Sequence, residues 1–222
     1  MDACSLDLCS CSYPAKIDEY KTRDHVSLMA QVMTRELYDK YKNKVSSGPA
    51  KWTIARAINT GVMYPSSFCG CHAGDKESWD DFKEFFYPVI KLYHKGFDPE
   101  APITLSGTPS ERMDPARIGA DLSASAQGKI ISTRIRVARN LAMFPLNPGG
   151  TKATRVAIAT LMGKVYQRLD GDLAGDFFLH TEMSDEQRQG LIDDHFLFRG
   201  KDKMQAASGY HEHWPVGRGV FH

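Results

Sequence analysis

The chain has 222 residues, 42% hydrophobic and 25% charged, the balance expected of a globular fold with one sizeable core or two modest ones. Its 28 basic and 27 acidic residues leave a formal charge of +1, so no field of one sign favours nucleic acid or an anionic membrane as partner. No apolar run approaches the roughly 18 residues of a membrane span, and the opening MDACSLDLCSCSYPAK has neither a basic secretory start nor an Arg-rich transit pattern, so a cytoplasmic protein is expected.

Residues 1–15 read as a loose tail. From Ile17 to Lys42 the apolar residues Val26, Met29, Met33, Leu37 and Tyr41 recur three or four apart, which predicts a helix. Ser46-Ser47-Gly48-Pro49 breaks it, and a second helix is expected from Ala50 to Val62, ending near Gly61. Residues 63–74 form a loop of small residues. Asp75 is placed to cap a third helix from Lys76 to Lys95, with Trp79, Phe82, Phe86, Val89, Ile90 and Tyr93 as its buried stripe. Residues 97–128, with Pro99, Pro102, Gly107, Pro109, Pro115 and Gly119, have little periodicity and read as a linker.

The pattern then changes. Lys129 to Val137 alternates and is β-branched, as a strand requires. A helix is expected from Thr151 to Leu169, a short strand within Phe177–Met183, and a capped helix beginning at Ser184-Asp185-Glu186-Gln187 and running through Ile192. The fold class is therefore α+β: an all-helical domain over 16–96, the linker, and an incomplete antiparallel-sheet domain flanked by helices over 129–222.

One stretch carries chemistry on its residues alone. If 129–137 is a strand, Ile131, Thr133, Ile135 and Val137 face one way and Ser132, Arg134 and Arg136 the other, with the two guanidinium groups about 7 Å apart. Such a pair suits a polyphosphate lying between the two forks, or a solvated sheet face with carboxylate partners. Taken alone, His195 after Asp193-Asp194 reads first as a helix C-terminal cation paired with a carboxylate. The five cysteines, Cys4, Cys9, Cys11, Cys69 and Cys71, are odd in number and read as free thiols. Their C-x-C spacing, with no second matched pair, gives no metal site.

KIISTRIRVARNLAMFPLNP resembles the ATP-binding strand of the phosphagen kinases, the family of arginine and creatine kinases. Gln189–Phe198 and Trp214–His222 are similar to two further segments of that family, and Gly70–Trp79 to its guanidino-specificity loop and the following helix. The similarity runs in the family's order from about residue 16 to the last residue. It implies that Ser132, Thr133, Arg134, Ile135 and Arg136 line a nucleotide site with His195 against the base or ribose. It implies that Phe68, Cys69, Gly70, Cys71 and His72 form part of the loop over the guanidino substrate. ATP with Mg²⁺ and a guanidino compound are then the small-molecule partners, and the protein a monomer or homodimer.

The loop from Ile58 to Ser78 has the shorter length of the arginine-type members, and Tyr93 also matches them, whereas Cys71-His72-Ala73-Gly74-Asp75 reads closer to the creatine and taurocyamine branches. Arginine is the first expectation and taurocyamine the second. Ala138, Glu212 and Lys95 depart from the family pattern. The family's guanidinium-aligning carboxylate, reactive cysteine and further phosphate-binding arginines have no counterpart in these residues. No catalytic residue is therefore assigned, and the chain is expected to stop within the catalytic domain and to be inactive alone. A silent nucleotide-binding or interaction protein stays open as the alternative. A bacterial-type protein-arginine kinase is disfavoured by the helical segment 16–96.

Overall fold

The computed structural model describes residues 12–95, 97–101, 114, 123–132, 137–197 and 202–222. The chain divides into two compact units, residues up to 97 together with 140–222, and residues 98–139.

In the first unit the long helix expected over 17–42 is three short ones: α1 (Lys16–Tyr20), α2 (Leu28–Val32) and α3 (Arg35–Tyr41). The breaks have a local cause. The Ser27 hydroxyl accepts from Ala30 N and the Thr34 hydroxyl from Leu37 N, so each residue caps a new helix instead of continuing the old one. The apolar spacing survives the breaks, and Met29, Met33 and Tyr41 are all buried.

Helix α4 (Ile54–Met63) starts at the Thr53 cap, later than Ala50. Its buried positions Ile54, Ala57, Ile58 and Gly61 follow the i, i+3, i+4, i+7 stripe of a half-buried helix. The helix runs past Gly61. A β-carbon there would lie 2.5 Å from Met29 Cε and 2.7 Å from the carbonyl oxygen of Gly70, so this glycine serves close approach and not termination.

The third expected helix divides at Phe82 into α5 (Ser78–Asp81) and α6 (Lys83–Tyr93). Phe82, Phe85, Phe86 and Val89 are buried, while Trp79 and Tyr93, expected in the same stripe, are exposed. Asp75 does cap the turn ahead of α5, accepting from Ser78 N at 3.0 Å. Its other oxygen accepts from the Ser46 hydroxyl at 2.7 Å and from Ala50 N at 3.0 Å, which ties the 46–52 turn to the start of the third helical segment. Trp52, Tyr38, Phe82, Phe85, Phe86, Met29 and Ile58 form the centre of the core.

The second unit includes α7 (Ala124–Gln127), capped by Ser123. Of the strand expected over 129–137, residues 129–132 and 137 are exposed and outside any strand, and Ile131, expected in a core, is fully exposed. Thr133, Arg134, Ile135 and Arg136 lie outside the described residues.

From residue 140 the chain returns to the first unit. Helix α8 (Lys152–Tyr166) begins at the Thr151 cap as expected. Strand β1 (Phe177–Leu179) pairs antiparallel with β2 (Gly219–Phe221), Phe177 opposite Phe221 and Leu179 opposite Gly219. Tyr166 of α8 stacks on Phe221 with ring centroids 4.3 Å apart, which holds the helix against the sheet. Helix α9 (Asp185–Asp193) opens with a reciprocal Ser184–Gln187 capping box, and α10 (Lys203–Ala207) with the Asp202 cap. No described helix is long and apolar enough to cross a membrane.

The helical core and the 140–222 segment meet along α4. Asn59 donates to the Ala207 carbonyl at 2.8 Å. Arg56 lies over the Trp52 ring, 4.2 Å from its centroid, and reaches Glu212 at 3.5 Å. Arg155, buried, donates to the Asn147 side chain at 2.5 Å and to the Gly209 carbonyl at 3.1 Å, and burial together with the nearby Arg218 charge pushes its pKa down to about 10.

Candidate functional site

The five loop residues singled out for substrate binding form a segment stitched between α2 and α4. Leu28 N donates to the Phe68 carbonyl and Met29 N to the Cys69 carbonyl, each at 3.0 Å. Gly61 N donates to the Gly70 carbonyl at 2.8 Å, and His72 N to the Ala57 carbonyl at 2.9 Å. Within the loop, Gly70 N donates to the Ser67 hydroxyl at 3.1 Å. Gly70 has φ +78°, and a β-carbon there would meet Met29 Cβ and Ser27 Oγ at 3.1 Å and Gly61 Cα at 3.2 Å. Only glycine fits both the left-handed backbone and the space.

The side chains of this loop divide by direction. Phe68 is largely exposed, with its ring 5.7 Å from that of Tyr93. His72 turns back onto α4, with Nδ1 3.1 Å from the Thr60 hydroxyl, and its carbonyl accepts from the Trp52 indole at 3.0 Å. Burial lowers the pKa of His72, so the imidazole is neutral at neutral pH. Cys69 and Cys71 bring their sulfurs to 3.8 Å. Ser27, Thr60, Gly61 and Ser67 support the loop, and the sequence reading missed that role. Gly61 was the one available signal, as a glycine inside a helical pattern.

Of the six residues expected at the nucleotide, the structure describes Ser132 and His195. Ser132 is exposed, and Thr133 to Arg136 lie outside the described residues. His195 is exposed just beyond the end of α9, at φ +66°. Next to it in sequence, Ile192 and Phe196 line a cavity of about 780 Å³ in the 140–222 segment. His180, Arg188, Trp214 and Arg218 also line it. Among the described residues, His180 Nδ1 and Arg218 Nε are buried and have no hydrogen-bond partner. Burial, then the Arg188 and Arg218 charges, lowers the His180 pKa, leaving a neutral ring between two cations. Asp202 lines the cavity too, so the two guanidinium groups share it with one carboxylate. Among the described residues no three His, Cys, Asp or Glu side chains converge on one point.

Comparison with known proteins bears on the family of the chain. Residues 23–91 match the family described as ATP:guanido phosphotransferase, N-terminal domain. The chain is 38% identical over 197 residues to an arginine kinase of Anthopleura japonica, covering 88% of this chain and 26% of that one. It is 35% identical over 199 residues to the arginine kinase of Plodia interpunctella, covering 90% and 54%. Among solved structures, the substrate-free duplicated taurocyamine kinase from Schistosoma mansoni superposes with a TM-score of 0.77 at 27% identity, over 95% of this chain and 29% of that one. Lombricine kinase superposes with a TM-score of 0.69 at 25% identity, over 91% and 55%. The chain thus spans about half the length, or less, of the relatives it matches. With a matching helical domain, arginine kinase relatives along nine-tenths of its length and phosphagen kinase structural neighbours, the chain belongs to the phosphagen kinase family.

Proposed function

We propose that this chain carries the guanidino-selecting domain and part of the nucleotide site of an enzyme that reversibly moves the γ-phosphoryl group of MgATP onto a guanidino compound, L-arginine first. Residues 16–96 are its helical domain, 97–128 the linker and 129–222 the nucleotide-binding portion, and the reaction between small charged metabolites places it in the cytosol. The observation that supports the reading best is the 68–72 loop. It is held at four backbone points, yet it presents Phe68 outward. A fixed loop of this kind positions a substrate at low entropic cost, which is most of what phosphoryl transfer asks of the protein.

In this reading the loop shapes the guanidino end, and the neutral His72 ring sets how much room it leaves. Arg134 and Arg136 neutralise the nucleotide phosphates, with Ser132, Thr133 and Ile135 lining that strand and His195 against the base or ribose. Mg²⁺ supplies further charge neutralisation when the nucleotide is bound. Taurocyamine is the second substrate reading, supported by the Cys71–Asp75 segment and by the Schistosoma mansoni structure.

Replacing His72 by Tyr removes the contact to Thr60 and changes the loop's inner volume. In the full-length protein, His72→Tyr is expected to shift the arginine-to-taurocyamine ratio of kcat/KM by roughly tenfold while the nucleotide KM stays near the parent's. A ratio equal to the parent's would count against the loop assignment. Arg134→Ala and Arg136→Ala are each expected to weaken ADP binding by about 1–3 kcal/mol, the range of a charge-assisted hydrogen bond to phosphate. Calorimetric titration of folded variants checks this, and unchanged affinity in both would remove the strand from the site.

A further inference from the structure

We propose that Cys69 and Cys71 are a reactive dithiol in which Cys69 attacks a low-molecular-weight disulfide and Cys71 resolves the product, closing a reversible Cys69–Cys71 bridge inside the loop. Bridge formation is a property of the loop itself; only its effect on turnover rests on the reading of 68–72 as the guanidino-selecting segment.

The geometry is set by the backbone. The Cys69 carbonyl is held by Met29 N and the Gly70 carbonyl by Gly61 N, while Gly70 N is tied to Ser67. The left-handed Gly70 between the two cysteines turns both side chains to one side. Their sulfurs stand 3.8 Å apart, a thiol–thiolate hydrogen-bond distance, and both residues are partly exposed. A disulfide needs an S–S distance of about 2.05 Å, so closure asks for a movement of roughly 1.8 Å, within reach of side-chain rotation.

The pair is also polarised. The two sulfurs share one hydrogen bond, and that bond pushes the Cys69 pKa down to about 7. The same bond, with burial, pushes the Cys71 thiol up. A thiol lowered in this way is the better nucleophile near neutral pH, which assigns the first attack to Cys69 and the resolving step to Cys71. In the first step the Cys69 thiolate attacks one sulfur of the small disulfide RSSR, forming Cys69–S–SR and releasing RS⁻. In the second, Cys71 gives its proton to solvent and attacks the Cys69 sulfur, expelling the second RS⁻. Two protein thiols are oxidised and one small disulfide is reduced to two thiols. A one-residue spacer in a loop fixed at both ends makes a strained bridge, which small thiols reopen readily.

The test uses reduced full-length protein treated with oxidised glutathione, quenched with iodoacetamide and digested with trypsin. Cleavage after Arg56 and Lys76 isolates Cys69 and Cys71 in the 57–76 peptide, apart from Cys4, Cys9 and Cys11 in 1–16. The expected 57–76 peptide has lost two hydrogen atoms, carries no alkyl group and returns to the dithiol with reductant. Cys71→Ser should stop at a glutathione adduct on Cys69, and Cys69→Ser should react about tenfold more slowly. A doubly alkylated 57–76 peptide, a wild-type adduct that persists unresolved, or first attack at Cys71 would each overturn the proposal. In parallel, the oxidised protein should turn over arginine more slowly, with recovery on reduction. A bridge that forms with turnover unchanged would uphold the dithiol and count against the loop reading of the preceding section.

Discussion

A polypeptide of these 222 residues alone is expected to form no ADP above background from MgATP with either L-arginine or taurocyamine. The reacting phosphoryl group must be neutralised from several sides while the guanidinium is held in line. The residues available are two arginines proposed on one segment, a cavity in the 140–222 segment lined by Arg188 and Arg218, and a loop proposed to shape the acceptor. The family's aligning carboxylate, thiol and further phosphate-binding arginines have no counterpart among them. Loss of one transition-state charge partner costs roughly 3–4 kcal/mol, or about 10²–10³ in rate, and several losses together exceed the sensitivity of a coupled ADP assay. Clear turnover by the 222-residue polypeptide would show that the described cavity and loop already contain a working site.

Replacing Asp75 with Ala is expected to lower stability more than a typical surface substitution, by about 3–5 kcal/mol, because it strips acceptors from several interior donors at once. The Asp75 carboxylate is 1% exposed. One oxygen accepts from the Ser46 hydroxyl and Ala50 N, the other from Ser78 N and the Ser78 hydroxyl. The Ser46 hydroxyl in turn accepts from Trp52 N at 2.8 Å. One side chain thus fixes the turn before α4, the indole at the centre of the core and the start of α5. Urea unfolding followed by tryptophan fluorescence measures the effect, with the buried Trp52 among the reporters. A loss below about 1 kcal/mol would mean that the freed donors find water and that the network is not closed to solvent.

Much of the helical domain was legible in the sequence because its apolar residues keep a helical period and its caps are Ser, Thr and Asp. The breaks at Ser27 and Thr34 were not, because a hydroxyl inside a periodic stretch is as compatible with a helix face as with a new start. Phe85 replaced Trp79 and Tyr93 in the buried stripe because the division at Phe82 changes the phase of α6 relative to α5. The 68–72 loop was singled out from resemblance, yet its anchoring to α2 and α4 is a tertiary property. Gly61 and Gly70 touch only after α4 has folded onto the loop, and residue spacing carries no trace of that contact. Glu212 stood out as a departure from the family pattern. The structure gives it a partner in Arg56, 156 residues away in sequence, and a cation at that position would face the Arg56 charge directly. His180, Arg188 and Arg218 went unnoticed as a group because α9 and the β1–β2 pair bring them together from separate segments.

Phosphorus NMR of the full-length protein incubated with MgATP and L-arginine tests the central claim most directly. The account predicts a phosphoarginine resonance growing as the γ-phosphate signal of ATP falls and ADP appears, with the reverse reaction from phosphoarginine and MgADP. An unchanged ATP spectrum with arginine and with taurocyamine, or ATP loss that yields only inorganic phosphate, would contradict it.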